Sequence, residues 1–192
     1  FLRNYLIPFE INMPSKTTKI LAITGSTRKN SSNYKILKYI SNHIKTDFEV
    51  EIFEELDTIP HFNPDLDTEN PPQEIKILRN KINSADGVII CTPEYVFSLP
   101  GSLKNALEWF VSTTIFSGKK TGLITASASG EMGHEQLLLI MKTLEADFDD
   151  TTQLLIQGIR GKVDADGKIT NKETEEALQN FIHNFENKFL LD

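Results

Sequence analysis

An α/β fold, built on a five-stranded parallel sheet in the order 2-1-3-4-5 with helices on both faces, is what this sequence predicts. Three observations predict it. Five short apolar runs rich in Ile, Val and Leu alternate along the chain with five stretches whose apolar residues recur at helical spacing. That alternation implies βαβ units and a parallel sheet covered on both sides. The length of 192 residues suits about one domain, and 39% hydrophobic with 24% charged residues suits a buried core without staples.

The first strand is expected at 19–24 (KILAIT), an Ile-rich run stopped by Gly25. Tyr34, Leu37, Ile40 and Ile44 then mark a helix over 32–45. Phe48, Val50 and Ile52 alternate with Glu49 and Glu51, a strand over 48–53. The next segment, 54–72, carries four prolines among Asp and Asn and reads as a long loop, functional or mobile. Ile75, Leu78 and Ile82 place a helix over 73–84. GVIIC at 87–91 is the most apolar strand and is expected at the sheet centre. Pro100 suits a first helical turn, and Leu103, Leu107, Phe110 and Val111 carry that helix to about 112. KTGLITA (120–126) is the fourth strand, 131–146 a helix, 152–156 the last strand, and 172–189 the closing helix after an Asp166-Gly167 turn. For five strands this is the flavodoxin-like arrangement. The expected organisation is an N-terminal extension, 1–14, followed by a single domain, 15–192. The extension lacks the basic start and cleavage site of a signal peptide.

With 20 Lys and Arg against 27 Asp and Glu, the net charge of −7 argues against nucleic-acid binding. No apolar run reaches the roughly 18 residues that span a bilayer, so no membrane partner is expected. A single cysteine, Cys91, forbids an internal disulfide and fits the reducing cytoplasm. At the end of an apolar strand it reads as a buried structural thiol. His43, His61, His134 and His183 are scattered, with no i, i+4 pair, so no metal site is expected. Trp109 reads as core or interface.

Ligands of open parallel sheets sit beyond the carboxyl ends of the strands. Three loops leave that edge with unusual composition. GSTRKNSSN (25–33) offers hydroxyls, the Arg28 guanidinium and the N–H groups of a helix start, which together suit a phosphate. The same residues also suit a plain polar turn with a Ser or Asn cap. It matches neither G-x-x-x-x-G-K-[ST] nor G-x-G-x-x-G. The second loop, from Thr92 through TPEYVFSLPG, is stiffened by Pro93 and Pro100; Tyr95, Val96 and Phe97 would face a flat heterocycle or plug the core. SASGEMG (127–133) allows close approach either of a ligand or of helix to strand.

Gly25 to Asn33, followed by Pro93-Glu94-Tyr95 and by Ser98-Leu99-Pro100-Gly101-Ser102-Leu103-Lys104-Asn105-Ala106, resembles the NADPH-dependent FMN reductase family. That family includes azoreductases, quinone reductases and chromate reductases. The resemblance implies a flavodoxin-like fold holding FMN non-covalently. Ser26, Arg28, Ser31 and Asn33 match positions that receive the phosphate. Pro93, Glu94, Tyr95, Val96 and Ser98 match the loop around the isoalloxazine, and Ser127 and Gly130 match its other end. Val96 departs from the family's usual Asn. A β-branched residue is expected to keep this loop extended, so that backbone N–H groups still hold the ring.

The implied activity is electron transfer from NADPH or NADH through FMN to small oxidants: quinones, azo compounds, metal oxyanions or free flavin. No side-chain acid or base is needed. A flavodoxin-like electron carrier serving partner proteins is the alternative, and Arg28 counts against it. A homodimer or homotetramer is implied as well, with the helix over 103–109 at the contact.

Overall fold

A computed structural model of the chain describes residues 17–190, so the 1–14 extension lies outside the described residues. Strands β1 (Thr18–Thr24), β2 (Phe48–Phe53), β3 (Gly87–Thr92), β4 (Lys120–Ser127) and β5 (Gln153–Gln157) form one sheet in the order β2-β1-β3-β4-β5. Each neighbouring pair is parallel: Ala22 stands opposite Ile52 on one side and Ile89 on the other, and Ile90 opposite Leu123. The helices are α1 (Ser32–His43), α2 (Gln73–Ser84), α3 (Gly101–Glu108), α4 (Glu131–Thr143) and α5 (Lys172–Asn187). The order is the expected flavodoxin-like one.

Strand alternation divides the core in two. Leu21, Ile23, Val88, Ile90 and Leu123 face α2, α3 and α4. Ile20, Ala22, Ile89, Cys91 and Ile124 face α1 and α5. All six residues of β3 are buried, which is why its sequence is continuously apolar rather than alternating. Each fully buried Ile or Leu contributes about 1.5–3 kcal/mol.

One expectation is corrected. The helix from Pro100 was expected to reach 112, but α3 ends at Glu108 and the chain continues as turns. The Leu107 and Glu108 carbonyls accept from the Phe110 and Val111 N–H groups, at 3.1 and 3.3 Å, in tighter turns, and Arg79 donates to the Trp109 carbonyl just beyond. The 54–72 loop contains two short 3-10 turns, Leu56–Thr58 and Pro64–Leu66, and is anchored on α3. Asn105 on α3 accepts from the Phe62 N–H at 2.8 Å and donates to the Pro60 carbonyl at 2.9 Å. The Trp109 indole donates to that carbonyl at 2.9 Å, and the ring is fully buried. Further on, Asp67 pairs with Arg79 at 2.8 Å and accepts from the Ser112 hydroxyl at 2.6 Å. Burial alone would raise the Asp67 pKa, yet Ser112 and Arg79 outweigh it and hold the carboxyl below its usual range.

For the site, the decisive feature is that β1, β3 and β4 are adjacent. Thr24 lies opposite Cys91, and Thr92 opposite Thr125. The loops that follow these three strands therefore open side by side at one sheet edge.

Candidate cofactor site

The loop after β1 is seated directly on β3. The Gly25 N–H donates to the Cys91 carbonyl at 2.8 Å. A Cβ at Gly25 would lie 2.3 Å from Thr92 Oγ1 and 2.9 Å from Thr92 Cα, so only glycine fits. Downstream, Ser31 caps α1, its Oγ accepting the Tyr34 N–H at 3.1 Å. Ser26 Oγ accepts the Arg28 N–H at 3.3 Å. Both hydroxyls keep a proton to donate. The N–H groups of Ser32 and Asn33 open α1 at its positive end without intrahelical acceptors. Among the described residues, no acceptor faces the N–H groups of Thr27 and Lys29, and the exposed Arg28 guanidinium makes no ion pair.

Arg28 borders a cleft of about 450 Å³ that also contains Lys29, Asn30 and the acids Glu54, Glu55 and Asp57. The three acids are exposed, so solvent and salt screen their repulsion of an anion.

Ser26 and Ser31 are buried, 5% and 4% exposed, and so is Asn33, but the Asn33 side chain reaches the sheet beneath. Asn33 is 3% exposed, donates to the Ala126 carbonyl at 3.3 Å and accepts from the Cys91 thiol at 3.3 Å. Its amide ties α1 to β3 and β4 beneath the loop. Burial pushes the Cys91 pKa far up, so the thiol stays protonated and donates.

The loop after β3 corrects the expectation for Val96. Tyr95 and Ser98 exchange both backbone hydrogen bonds, N–H to carbonyl, at 2.9 and 3.1 Å. The chain therefore reverses in two residues, and Val96 and Phe97 take φ of 52° and 58°. Positive φ at both central positions is the type I′ turn, whose favoured pair is Asn-Gly. The backbone at Val96 is left-handed rather than extended, a conformation that a β-branched side chain tolerates poorly. Each such residue costs about 1–3 kcal/mol. An Asn at this position would suit the backbone conformation better than Val does. Val96→Asn is expected to stabilise the protein by about 1 kcal/mol, raising Tm by roughly 2–4 °C. An unchanged or lower Tm in calorimetry would contradict the strain. Nor do the aromatics plug the core: Tyr95, Val96 and Phe97 are 51%, 94% and 72% exposed.

The second and third loops are clamped together across α4. Glu94 accepts from the Gly130 N–H at 3.1 Å and the Gly133 N–H at 2.8 Å. Gly130 is the left-handed N-cap of α4, with φ 91° and no capping side chain, so Glu94 caps that helix from another loop. Ser127 donates to the Glu94 carbonyl at 3.4 Å. Ser98 donates to Gln136 Oε1 at 2.6 Å, and Gln136 Nε2 donates to the Phe97 carbonyl at 3.2 Å. A Cβ at Gly130 would come within 2.9 Å of Leu155 Cδ1, so its smallness serves helix–strand packing.

The eleven expected site residues thus divide. Ser26, Arg28, Ser31 and Tyr95 offer groups that a ligand could meet, and Val96 is exposed next to Tyr95. Asn33, Glu94, Ser98, Ser127 and Gly130 bond chiefly to one another's elements, and Pro93 is buried beneath. Thr92 and Gln136 escaped the sequence reading. Thr92 matters only because β3 lies beside β1, and Gln136 is an ordinary helix residue until the turn is seen resting on it.

A guanidinium unpaired among the described residues, two hydroxyls and a helix start, at the same sheet edge as solvent-facing aromatic surface, suit a phosphate monoester carried by a flat heterocycle. FMN is such a molecule, and these residues fit it. The family model for NADPH-dependent FMN reductase matches residues 18–153. A quinone reductase of Escherichia coli (strain K12) is 30% identical over 172 residues, covering 85% of this chain and 91% of its own length. The NADH:(hydroxy)cinnamate reductase subunit CrdA of Vibrio ruber is also 30% identical over 172 residues, covering 84% of each chain. The solved structure of FerB, a flavoenzyme NAD(P)H:(acceptor) oxidoreductase from Paracoccus denitrificans, superposes with a TM-score of 0.75 at 26% identity, covering 88% of this chain and 96% of that one. A match that runs from β1 into β5 takes in all three loops at the sheet edge, so the chain belongs to the NADPH-dependent FMN reductase family and is an oxidoreductase that uses FMN with NAD(P)H as electron donor.

Proposed function

We propose that this chain reduces small quinone-type oxidants at the edge formed by the loops after β1, β3 and β4. The relatives named quinone reductase and 2-hydroxy-1,4-benzoquinone reductase, the latter from Burkholderia sp. and 28% identical over 174 residues, support that substrate class. The observation that carries the reading is Arg28, unpaired among the described residues, beside the open start of α1. Ser26, Arg28 and Ser31 would hold the FMN phosphate, and the 93–98 loop would flank the ring with Tyr95 outermost. Asn33, Glu94, Ser98, Ser127 and Gly130 act one step back, fixing the three loops relative to one another. Bound FMN would supply hydride acceptance from the nicotinamide and electron release to the oxidant. The chain's own contribution is to orient, to leave one ring face accessible, and to place donors where negative charge gathers.

A homodimer or homotetramer in the cytoplasm fits this reading. Val111 and Leu139, 65% and 66% exposed, lie on the α3–α4 side, beside a small apolar groove of about 180 Å³ between Leu107 and Ile140. No helix among the described residues is long and apolar enough to cross a membrane. Residues 15–192 act here as one FMN-binding domain. The test is the absorption spectrum of the purified protein, followed by NADPH or NADH oxidation with a benzoquinone. A flavin spectrum with quinone-dependent oxidation is expected; a colourless protein that cannot be loaded with FMN would refute the reading.

A further inference from the structure

We propose that Gln136 is a positioning residue that latches the 95–98 turn onto α4, and that the latched turn forms an apolar platform for the oxidant. The platform half of the proposal rests on the quinone-reductase reading above; the latch half does not.

Two independent features meet at this turn. One is its conformation. Val96 and Phe97 both sit at positive φ, 52° and 58°, where neither residue type is at home. Left to itself, a Val-Phe pair would favour extended backbone and would open the turn. The other is its anchoring. Gln136, on the second turn of α4, meets the turn with both ends of one amide: Oε1 accepts from the Ser98 hydroxyl at 2.6 Å, and Nε2 donates to the Phe97 carbonyl at 3.2 Å. Glu94 secures the stem of the same loop to the start of α4. Gln136 apart, no side chain among the described residues bonds the tip, where Val96 is 94% and Phe97 72% exposed. A strained segment persists only where its surroundings over-determine it, and at the tip the side-chain bonds that add to the Tyr95–Ser98 backbone pair come, among the described residues, from Gln136.

The latched state sets Tyr95, Val96 and Phe97 together on the solvent side of the loop expected to flank the flavin ring. Apolar side chains exposed together at the rim of a site match an apolar oxidant approaching from solvent. An open turn would disperse them. Gln136 therefore acts on oxidant affinity through the turn, without touching the oxidant.

The test uses Gln136→Ala, Gln136→Glu and Val96→Asn/Gln136→Ala in the FMN-loaded protein. Limited digestion with a nonspecific protease, with cut sites mapped by mass spectrometry, reads the latch. Cleavage within 94–98 is expected to be about tenfold faster in Gln136→Ala. Gln136→Glu keeps the acceptor for Ser98 but loses the donor to Phe97, and should fall between. In the Val96→Asn background the turn is closer to its preferred sequence, and the effect of removing Gln136 should shrink below about threefold. Steady-state kinetics read the platform. KM for an apolar benzoquinone should rise about fivefold with kcat changed less than twofold, while KM for ferricyanide stays put. Unchanged cleavage in Gln136→Ala would overturn the latch. Faster cleavage with an unchanged quinone KM would overturn the platform while the functional reading stands. A native protein that turns over no quinone would overturn the platform and the functional reading together.

Discussion

Alanine in place of Gly25 is expected to destabilise the protein by about 3 kcal/mol, the upper range for overpacking, and so to lower Tm by roughly 6–12 °C. The added methyl would stand 2.3 Å from Thr92 Oγ1, 2.5 Å from Thr92 Cβ and 2.9 Å from Thr92 Cα. A flexible side-chain end could swing aside, but Cα cannot. Removing the hydroxyl is therefore no remedy: Gly25→Ala/Thr92→Ala should remain well below Thr92→Ala alone, because the Cβ and backbone contacts persist. The methyl would also push the loop proposed to hold the phosphate away from β3 and break the 2.8 Å bond from the Gly25 N–H to the Cys91 carbonyl. FMN affinity should fall along with stability. The measurement is calorimetry on the single and double variants. A Tm loss below about 2 °C, or full rescue by Thr92→Ala, would show that backbone approach does not set the position of this loop.

Gly25 also shows what the sequence could and could not reveal. Its role as the end of β1 was legible, because an Ile-rich run stops there. Its partner was not, because β1 and Thr92 lie far apart in sequence and become neighbours only through the 2-1-3 strand order. The same limit applies to Asn33, Glu94 and Ser98. Residue type and position marked them as polar groups at the ligand edge, but not their partners on β4 and α4, through which they also brace the loops. Local rules read the fold well. The burial of β3 on both faces, the Ser31 cap and the i, i+3, i+4 faces of the helices are all short-range patterns. Val96 is the instructive miss. A β-branched residue between two prolines suggested extended chain. The backbone hydrogen bonds between Tyr95 and Ser98 override that preference and impose a left-handed pair. Where local propensity and observed conformation conflict, functional constraint is the usual cause, and this conflict falls at the predicted rim of the site.

The sharpest test of the phosphate loop is Arg28→Ala, expected to weaken FMN by about 1.5–3 kcal/mol, the scale of a hydrogen bond to a charged group, or about 10–150-fold in Kd. Arg28 is exposed and, among the described residues, without an ion-pair partner, so its removal leaves no buried charge behind and should not disturb the fold. The loss should therefore appear in ligand binding and not in the Tm of the apo protein. Riboflavin has the same ring system and no phosphate, so its affinity should change less than about threefold. Arg28→Lys keeps the charge but not the planar fork, and should lie between native and Ala. Salt sharpens the comparison. The exposed acids Glu54, Glu55 and Asp57 share the cleft with Arg28, and both their repulsion and its attraction are screened as ionic strength rises. The gap between native and Arg28→Ala should accordingly narrow from 50 mM to 500 mM salt without closing, because the Ser26 and Ser31 hydroxyls and the N–H groups at the start of α1 bind at short range. Fluorescence titration of apo protein with each flavin measures all of this. Equal losses for FMN and riboflavin would place Arg28 against the ring instead of the phosphate, and no loss for either would remove it from the site.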